Sequence, residues 1–114
     1  MTPERFRDLA LALPEVEERE HQGHPDFRVG GKVFATLGPE GSWGMVKVPS
    51  DLQARLAREA PDTYEPMNGA WGKQGCTRVL LKKARVAALR EALLAAWKKS
   101  APKKTLKAYE DEHS

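Results

Sequence analysis

The chain has 114 residues, of which 40% are hydrophobic and 31% charged, and its formal net charge is +3. This length and composition predict one folded domain and argue against disorder. No apolar run approaches the roughly 20 residues of a membrane-spanning helix, and charged side chains interrupt the first residues, where a secretion signal would need an apolar core. The single cysteine, Cys76, cannot form an internal disulfide, which predicts a reducing, cytoplasmic location.

The first elements are a helix and an acidic segment. Thr2 can cap a helix that begins at Pro3, and apolar residues at helical spacing continue it until Pro14 stops it. Residues 15–20 are mostly acidic, which is compatible with an edge strand, since charges on an edge oppose unwanted pairing.

A hairpin is predicted at residues 26–37, turning at Gly30-Gly31, because both glycines can adopt the positive φ of a two-residue turn. A two-residue turn would place Val29 opposite Lys32 and Phe27 opposite Phe34. The other face of the hairpin would then carry Arg28, Val33, Ala35 and Leu37.

The remaining elements alternate between strand and helix. A turn is expected at residues 38–41 and a strand at 43–48; a helix should follow, with Ser50 and Gln53 as a capping box. Further strands are expected at 63–67 and 76–82, a loop at 68–75 and a helix at 84–99. Counting five strands, the order is α-β-β-β-α-β-β-α, which predicts an α+β two-layer sandwich with helices on one face. Residues 1–99 would form the domain and residues 100–114 a polar, Lys-rich tail.

The hairpin sequence is the most specific motif in the chain. Residues 24–35 read HPDFRVGGKVFA, and this stretch, with Leu13-Pro14, Pro61 and Trp71-Gly72 before the strand TRVLL, resembles the MmcQ/YjbR-like proteins of bacteria. The resemblance covers roughly residues 4–97. It implies a fold like that of secretion chaperones and frataxin-like domains. Members are commonly labelled as predicted DNA-binding proteins, and no catalytic residues or cofactor follow from the resemblance.

Charge is distributed unevenly along the chain. Residues 1–72 carry a balance of −4, residues 73–107 one of +10, and the last seven residues one of −3. A basic segment of this kind favours phosphate backbones without sequence preference, so DNA or RNA is the leading predicted partner; a solvated helix face is the alternative explanation. The candidate contacts are Lys82, Lys83, Arg85, Arg90, Lys98, Lys99, Lys103, Lys104 and Lys107.

A second candidate site lies around the hairpin and the glycine-rich loop. Trp71 beside Lys73 could stack on a base or grip a small ligand, although a loop tryptophan more often closes the edge of a core. Arg28 and Lys32 flank the hairpin turn and could line an open sheet face, where a solvated surface would explain them equally well.

Chemistry at a metal or a nucleophile is not predicted. His21 and His24 are spaced as a ligand pair can be, and Cys76 could join them in space. Without a second cysteine pair or a downstream histidine pair, however, the ligands are too few for a closed zinc site. Cys76 is expected to be a packed thiol rather than a nucleophile. The sequence therefore predicts a non-catalytic binding domain without a cofactor, contacting nucleic acid through its basic third. The alternative is a module that binds a protein or small ligand on its open sheet face; the oligomeric state is left open.

Overall fold

The structure is a computed structural model that describes residues 1–38 and 40–114, and for His21 the backbone alone. Four strands follow the first helix in succession, and helices alternate with the remaining two strands. In chain order they are α1 Pro3–Leu11, β1 Val16–His21, β2 His24–Val29, β3 Lys32–Leu37, β4 Trp43–Lys47, α2 Ser50–Glu59, β5 Tyr64–Pro66, α3 Gly69–Lys73, β6 Cys76–Leu80, α4 Val86–Ser100 and α5 Lys103–Glu112.

The strands form one antiparallel sheet in the order β1-β2-β3-β4-β6-β5. Helices α1, α2 and α4 bury their apolar sides against one face, and Phe6, Phe27 and Trp97 are fully buried in the resulting core. The predicted α+β architecture is confirmed. None of the helices in the described residues is long and apolar enough to cross a membrane.

The sheet has one strand more than the five counted in the sequence. The acidic segment forms β1 at the sheet edge, so four strands precede α2, and the short β5 forms the other edge. Residues 69–73 are helical instead of a loop, and the last strand ends at Leu80. The turn expected at residues 38–41 includes Pro39, which lies outside the described residues.

The hairpin turns at Gly30-Gly31 as predicted, with both glycines at positive φ and Val29 opposite Lys32. The expected Phe27–Phe34 pair is wrong, because the register shifts at Phe27/Arg28 and Phe27 lies opposite Ala35. This β-bulge places Ala35 and Leu37 in the core, while Arg28 remains on the other face. Two apolar residues in succession, Phe34 and Ala35, can both be buried because a bulge re-aims one side chain.

The predicted capping box at α2 is also wrong. Pro49 occupies the N-cap position, and no side chain caps the helix. The Gln53 side chain instead donates hydrogen bonds to the carbonyl oxygens of Gly72 and Cys76, at 3.0 and 3.3 Å, and to Thr77 Oγ1 at 3.1 Å. Gln53 therefore connects α2 to α3 and β6.

The segment after residue 100 contains a helix. In α5, Leu106 and Tyr109 pack against the core, and the Tyr109 ring meets the Trp97 ring edge-on at 5.1 Å. Pro102, at the start of this segment, packs against Gly30 in the hairpin turn, and a Cβ on residue 30 would clash with the proline ring. Residues 101–112 therefore add a layer beside the hairpin turn.

Candidate functional site on the open sheet face

A cleft of about 490 Å³ lies on the face of the sheet opposite the core. Residues of β2, β3 and β4 form its floor, and a tryptophan of α3 forms one wall. We call it the Trp71 cleft; its lining residues are Gln22, His24, Asp26, Arg28, Val33, Thr36, Met45 and Trp71.

The floor of the cleft follows from strand register. Asp26 lies opposite Thr36, and Thr36 lies opposite Met45, which gives a row of three side chains across β2, β3 and β4. Paired residues in antiparallel strands share a face, so all three project away from the helices. Arg28 and Val33 lie opposite each other next to this row, on the other side of the bulge, and belong to the same floor.

Trp71 is the wall of the cleft, and the residue is 64% exposed. The short helix that carries it is held from several sides. Gly72 is buried so closely against the Met67 carbonyl oxygen that a Cβ would clash with it. The Gln53 amide donates to Gly72 O at 3.0 Å, and Lys99 Nζ donates to Gln74 O at 2.8 Å. The indole is thus presented to solvent by an anchored helix.

Asp26 and Arg28 form the polar centre of the cleft. Arg28 Nε and Nη2 donate to the two carboxylate oxygens of Asp26 at 2.9 and 3.0 Å. The Asp26 side chain is 6% exposed, against 27% for Arg28. These hydrogen bonds raise the pKa of Arg28 above its ordinary value. The paired geometry holds the guanidinium in one orientation at the cleft surface.

Further along the open face, Arg78 covers Trp43, with the guanidinium carbon 4.9 Å from the ring centre. The same indole lies over Gly38, where a Cβ would clash with the ring. Trp43 is therefore half-buried between a cation and the backbone, and Trp71 is the more accessible of the two aromatic surfaces.

The four residues proposed for ligand binding divide into two pairs. Arg28 and Trp71 line the cleft together, whereas Lys32, at the hairpin turn, and Lys73, at the end of α3, are exposed outside its lining. Sequence reasoning missed His24, Asp26, Thr36 and Met45. Alternate residues of a strand share a face, so once Arg28 is assigned to the open face of β2, His24 and Asp26 are expected on the same face.

The nine basic residues proposed for nucleic-acid contact are all exposed. Along the chain they form two groups, one before and in the first half of α4 and one from the end of α4 into α5. Helix α4 has 15 residues and is therefore roughly 20 Å long. Its one acidic residue, Glu91, forms a 2.8 Å ion pair with Arg55. Lys98 approaches the Tyr109 ring at 5.5 Å. The first group is Lys82, Lys83, Arg85 and Arg90, and the second is Lys98, Lys99, Lys103, Lys104 and Lys107.

Of the residues weighed for metal or thiol chemistry, the two histidines are paired in the ladder between β1 and β2, whereas strands β3 and β4 separate Cys76 from His24. Cys76 is buried opposite Lys47 in the sheet; burial raises the pKa of its thiol, while Lys47 and Lys99 oppose this more weakly. His24 lines the cleft, and the His21 side chain lies outside the described residues. Within the part of the chain that the structure describes, no three His, Cys, Asp or Glu side chains are grouped to hold an ion.

Comparison with known proteins agrees with the fold. The crystal structure of Deinococcus radiodurans protein DR2400, which has a DUF419 domain, is similar, with a TM-score of 0.75 at 20% identity over 97% of this chain and 86% of that one. No curated protein has a significantly similar sequence. The YjbR family model matches residues 11–99, which confirms the resemblance noted from the hairpin motif. The chain therefore belongs to the YjbR family.

Proposed function

We propose that this YjbR domain is a small, non-catalytic binding domain and that the Trp71 cleft is its ligand site. The observation that carries the proposal is Trp71, a residue 64% exposed that forms a wall of the cleft although its helix is anchored. A large aromatic surface left in water forgoes the free energy of burial, and such surfaces commonly mark binding sites.

The rest of the lining has the composition of a small-molecule site. The cleft volume of about 490 Å³ lies within the range common for such sites. Val33 and Met45 supply apolar surface, whereas Arg28, Thr36 and His24 supply a few polar groups that would fix a ligand's orientation. Most of these groups sit on strands of a central sheet, which keeps their spacing constant.

The proposal is tested by titrating ¹⁵N-labelled protein with indole, benzoate and benzamide and recording amide and indole N–H resonances. We expect the Trp71 Nε1–H and the amides of Asp26, Thr36 and Met45 to shift together. Shifts confined to other regions, or none at millimolar concentrations, would contradict the proposal. Trp71→Ala should abolish the shifts. Val86→Ala, at an exposed apolar residue of α4, should leave them unchanged.

A second candidate function is sequence-independent contact with nucleic acid through the basic third. The nine exposed basic residues and the +10 balance of residues 73–107 favour it. Their separation into two groups means that a phosphate backbone would have to follow α4 to meet both. Such contact would also require the cytoplasmic location that the sequence predicts. It would depend steeply on salt, whereas binding in the cleft would not.

A further inference from the structure

We infer that the ligand of the Trp71 cleft is a flat aromatic carboxylate, with its ring on the Trp71 indole and its carboxylate on Arg28. This inference rests on the proposed function, because it names the chemical class that the same cleft would take.

The ring is inferred from the walls and the floor. Trp71 offers an exposed π-face, and aromatic rings stack on such a face in offset or edge-on arrangements. Val33 and Met45 line the same cleft from the sheet, and a methionine thioether adapts well to the edge of a ring. A flat ring can contact both surfaces at once, whereas a saturated ring of the same carbon number is thicker and has no π-face.

The carboxylate is inferred from the hydrogen-bonding capacity of Arg28. A guanidinium has five N–H donors, and Asp26 accepts one from Nε and one from Nη2. The other three lie on Nη1 and Nη2, and within the described residues no other acceptor is bonded to them. Because Arg28 lines the cleft, these donors are available to a ligand oxygen, and two parallel N–H groups match a carboxylate well.

Asp26 determines whether the cleft recognises a ligand by its net charge or by direct hydrogen bonds. Its buried carboxylate holds the Arg28 guanidinium in place and also neutralises its charge. Long-range attraction of anions would therefore be weak, and recognition would depend on direct hydrogen bonds. A polyanion would therefore bind weakly to such a site. For the same reason, the affinity of the cleft for an aromatic carboxylate should change little between low and moderate salt.

The test compares three matched probes on the unmodified protein. They are 2-naphthoate, 2-naphthamide, which keeps the ring but loses the charge, and decahydro-2-naphthoate, which keeps the charge but loses the flat ring. We expect 2-naphthoate to bind about tenfold more tightly than either, since one charge-assisted hydrogen bond contributes about this much. Equal affinity for the amide, or for the saturated acid, would overturn the inference.

Two variants locate the contacts. Arg28→Lys keeps a cation beside Asp26 but removes the fork, so naphthoate should bind about tenfold more weakly while naphthamide is unchanged. Trp71→Leu should weaken both aromatic probes and leave the saturated acid unchanged. Arg78→Lys, at an exposed arginine of the same face outside the cleft lining, is the matched control and should alter none of the three affinities.

The outcomes separate the inference from the function on which it rests. If none of the probes moves the cleft resonances, the proposed function fails as well. If the cleft binds the probes without preferring naphthoate, the inference alone fails. Because this comparison uses the unmodified protein, it remains decisive even if the Arg28 variant folds poorly.

Discussion

A tryptophan on the covered face of the sheet is buried, whereas Trp71 on the open face is exposed. On the covered face Trp97 is fully buried, donates from Nε1 to the Pro14 carbonyl oxygen at 3.0 Å and meets Tyr109 edge-on. On the open face Trp71 is 64% exposed although its helix is held by Gln53 and Lys99. Burial of Trp97 contributes to folding, whereas the anchoring of Trp71 maintains an exposed surface. Under the proposed function, the covered face supplies stability and the open face binds the ligand.

The largest expected effect separates these two tryptophans directly. Trp97→Ala should lower the free energy of unfolding by about 3–5 kcal/mol, because it leaves a cavity in the core. Trp71→Ala should change it by no more than about 0.5 kcal/mol, as is usual for surface substitutions. Urea unfolding followed by circular dichroism measures both. Comparable losses in the two variants would mean that the faces do not divide the roles in this way.

The next effect concerns the anchor beneath Trp71. Gly72→Ala should cost about 2 kcal/mol, because the added methyl group meets the Met67 carbonyl oxygen and α3 must move. The Trp71 indole resonance should shift with it. Gly31→Ala is the comparison: its φ of +81° strains an alanine, but nothing lies within 4 Å of the added carbon. It should cost about 1 kcal/mol and leave the indole resonance in place.

A smaller effect is expected at Tyr64, beneath the helices. Its hydroxyl is buried without a hydrogen-bond partner among the described residues, and burial raises the pKa of Tyr64 to about 12. Tyr64→Phe should therefore raise the free energy of unfolding at neutral pH by about 1 kcal/mol, since an unpaired hydroxyl is removed.

The same substitution should alter the alkaline limb of the stability profile. In the unfolded chain a tyrosine ionises near pH 10, whereas folded Tyr64 stays protonated to about pH 12, so stability falls as pH rises through this window. Tyr64→Phe should flatten that fall, and Tyr109→Phe, which leaves Tyr64 in place, should not. Unfolding midpoints between pH 9 and 12 provide the measurement; an unchanged slope in Tyr64→Phe would refute the assignment.

The smallest expected effect lies away from both faces, at the end of α4. If nucleic acid binds through about four to six phosphates, log K should fall with log salt at a slope of about −4 to −5 on duplex DNA. Replacing Lys98, Lys103 and Lys104 by glutamine, which keeps the Lys99 hydrogen bond to Gln74 O, should flatten that slope alike on unrelated sequences and leave naphthoate binding unchanged. No mobility shift of the wild-type chain with DNA or RNA at low salt would eliminate this candidate function.

Local signals in the sequence determined much of the secondary structure. Thr2 accepts from the Arg5 amide at the start of α1, and the glycines at positions 30 and 31 make the expected turn, because caps and tight turns depend on a few adjacent residues. The apolar spacing in residues 84–99 likewise predicted α4. The acidic segment at residues 15–20 also carries the local signal of an edge strand, and β1 forms there at the sheet edge.

Only the tertiary structure decided how these elements meet. The β-bulge at Phe27/Arg28 places Ala35 opposite Phe27, on the covered face of the sheet. The length of the turn alone predicts a regular register, so this shift could not be read from the hairpin sequence. Gln53 bonds to Gly72 because α2 and α3 are adjacent in space, although 19 residues separate the two positions. The Trp71 cleft joins Arg28 to Trp71 across three strands and a short helix. Contacts between residues distant in sequence depend on the global packing. The local pattern therefore predicted most of the elements, whereas only the packing brought the cleft residues together.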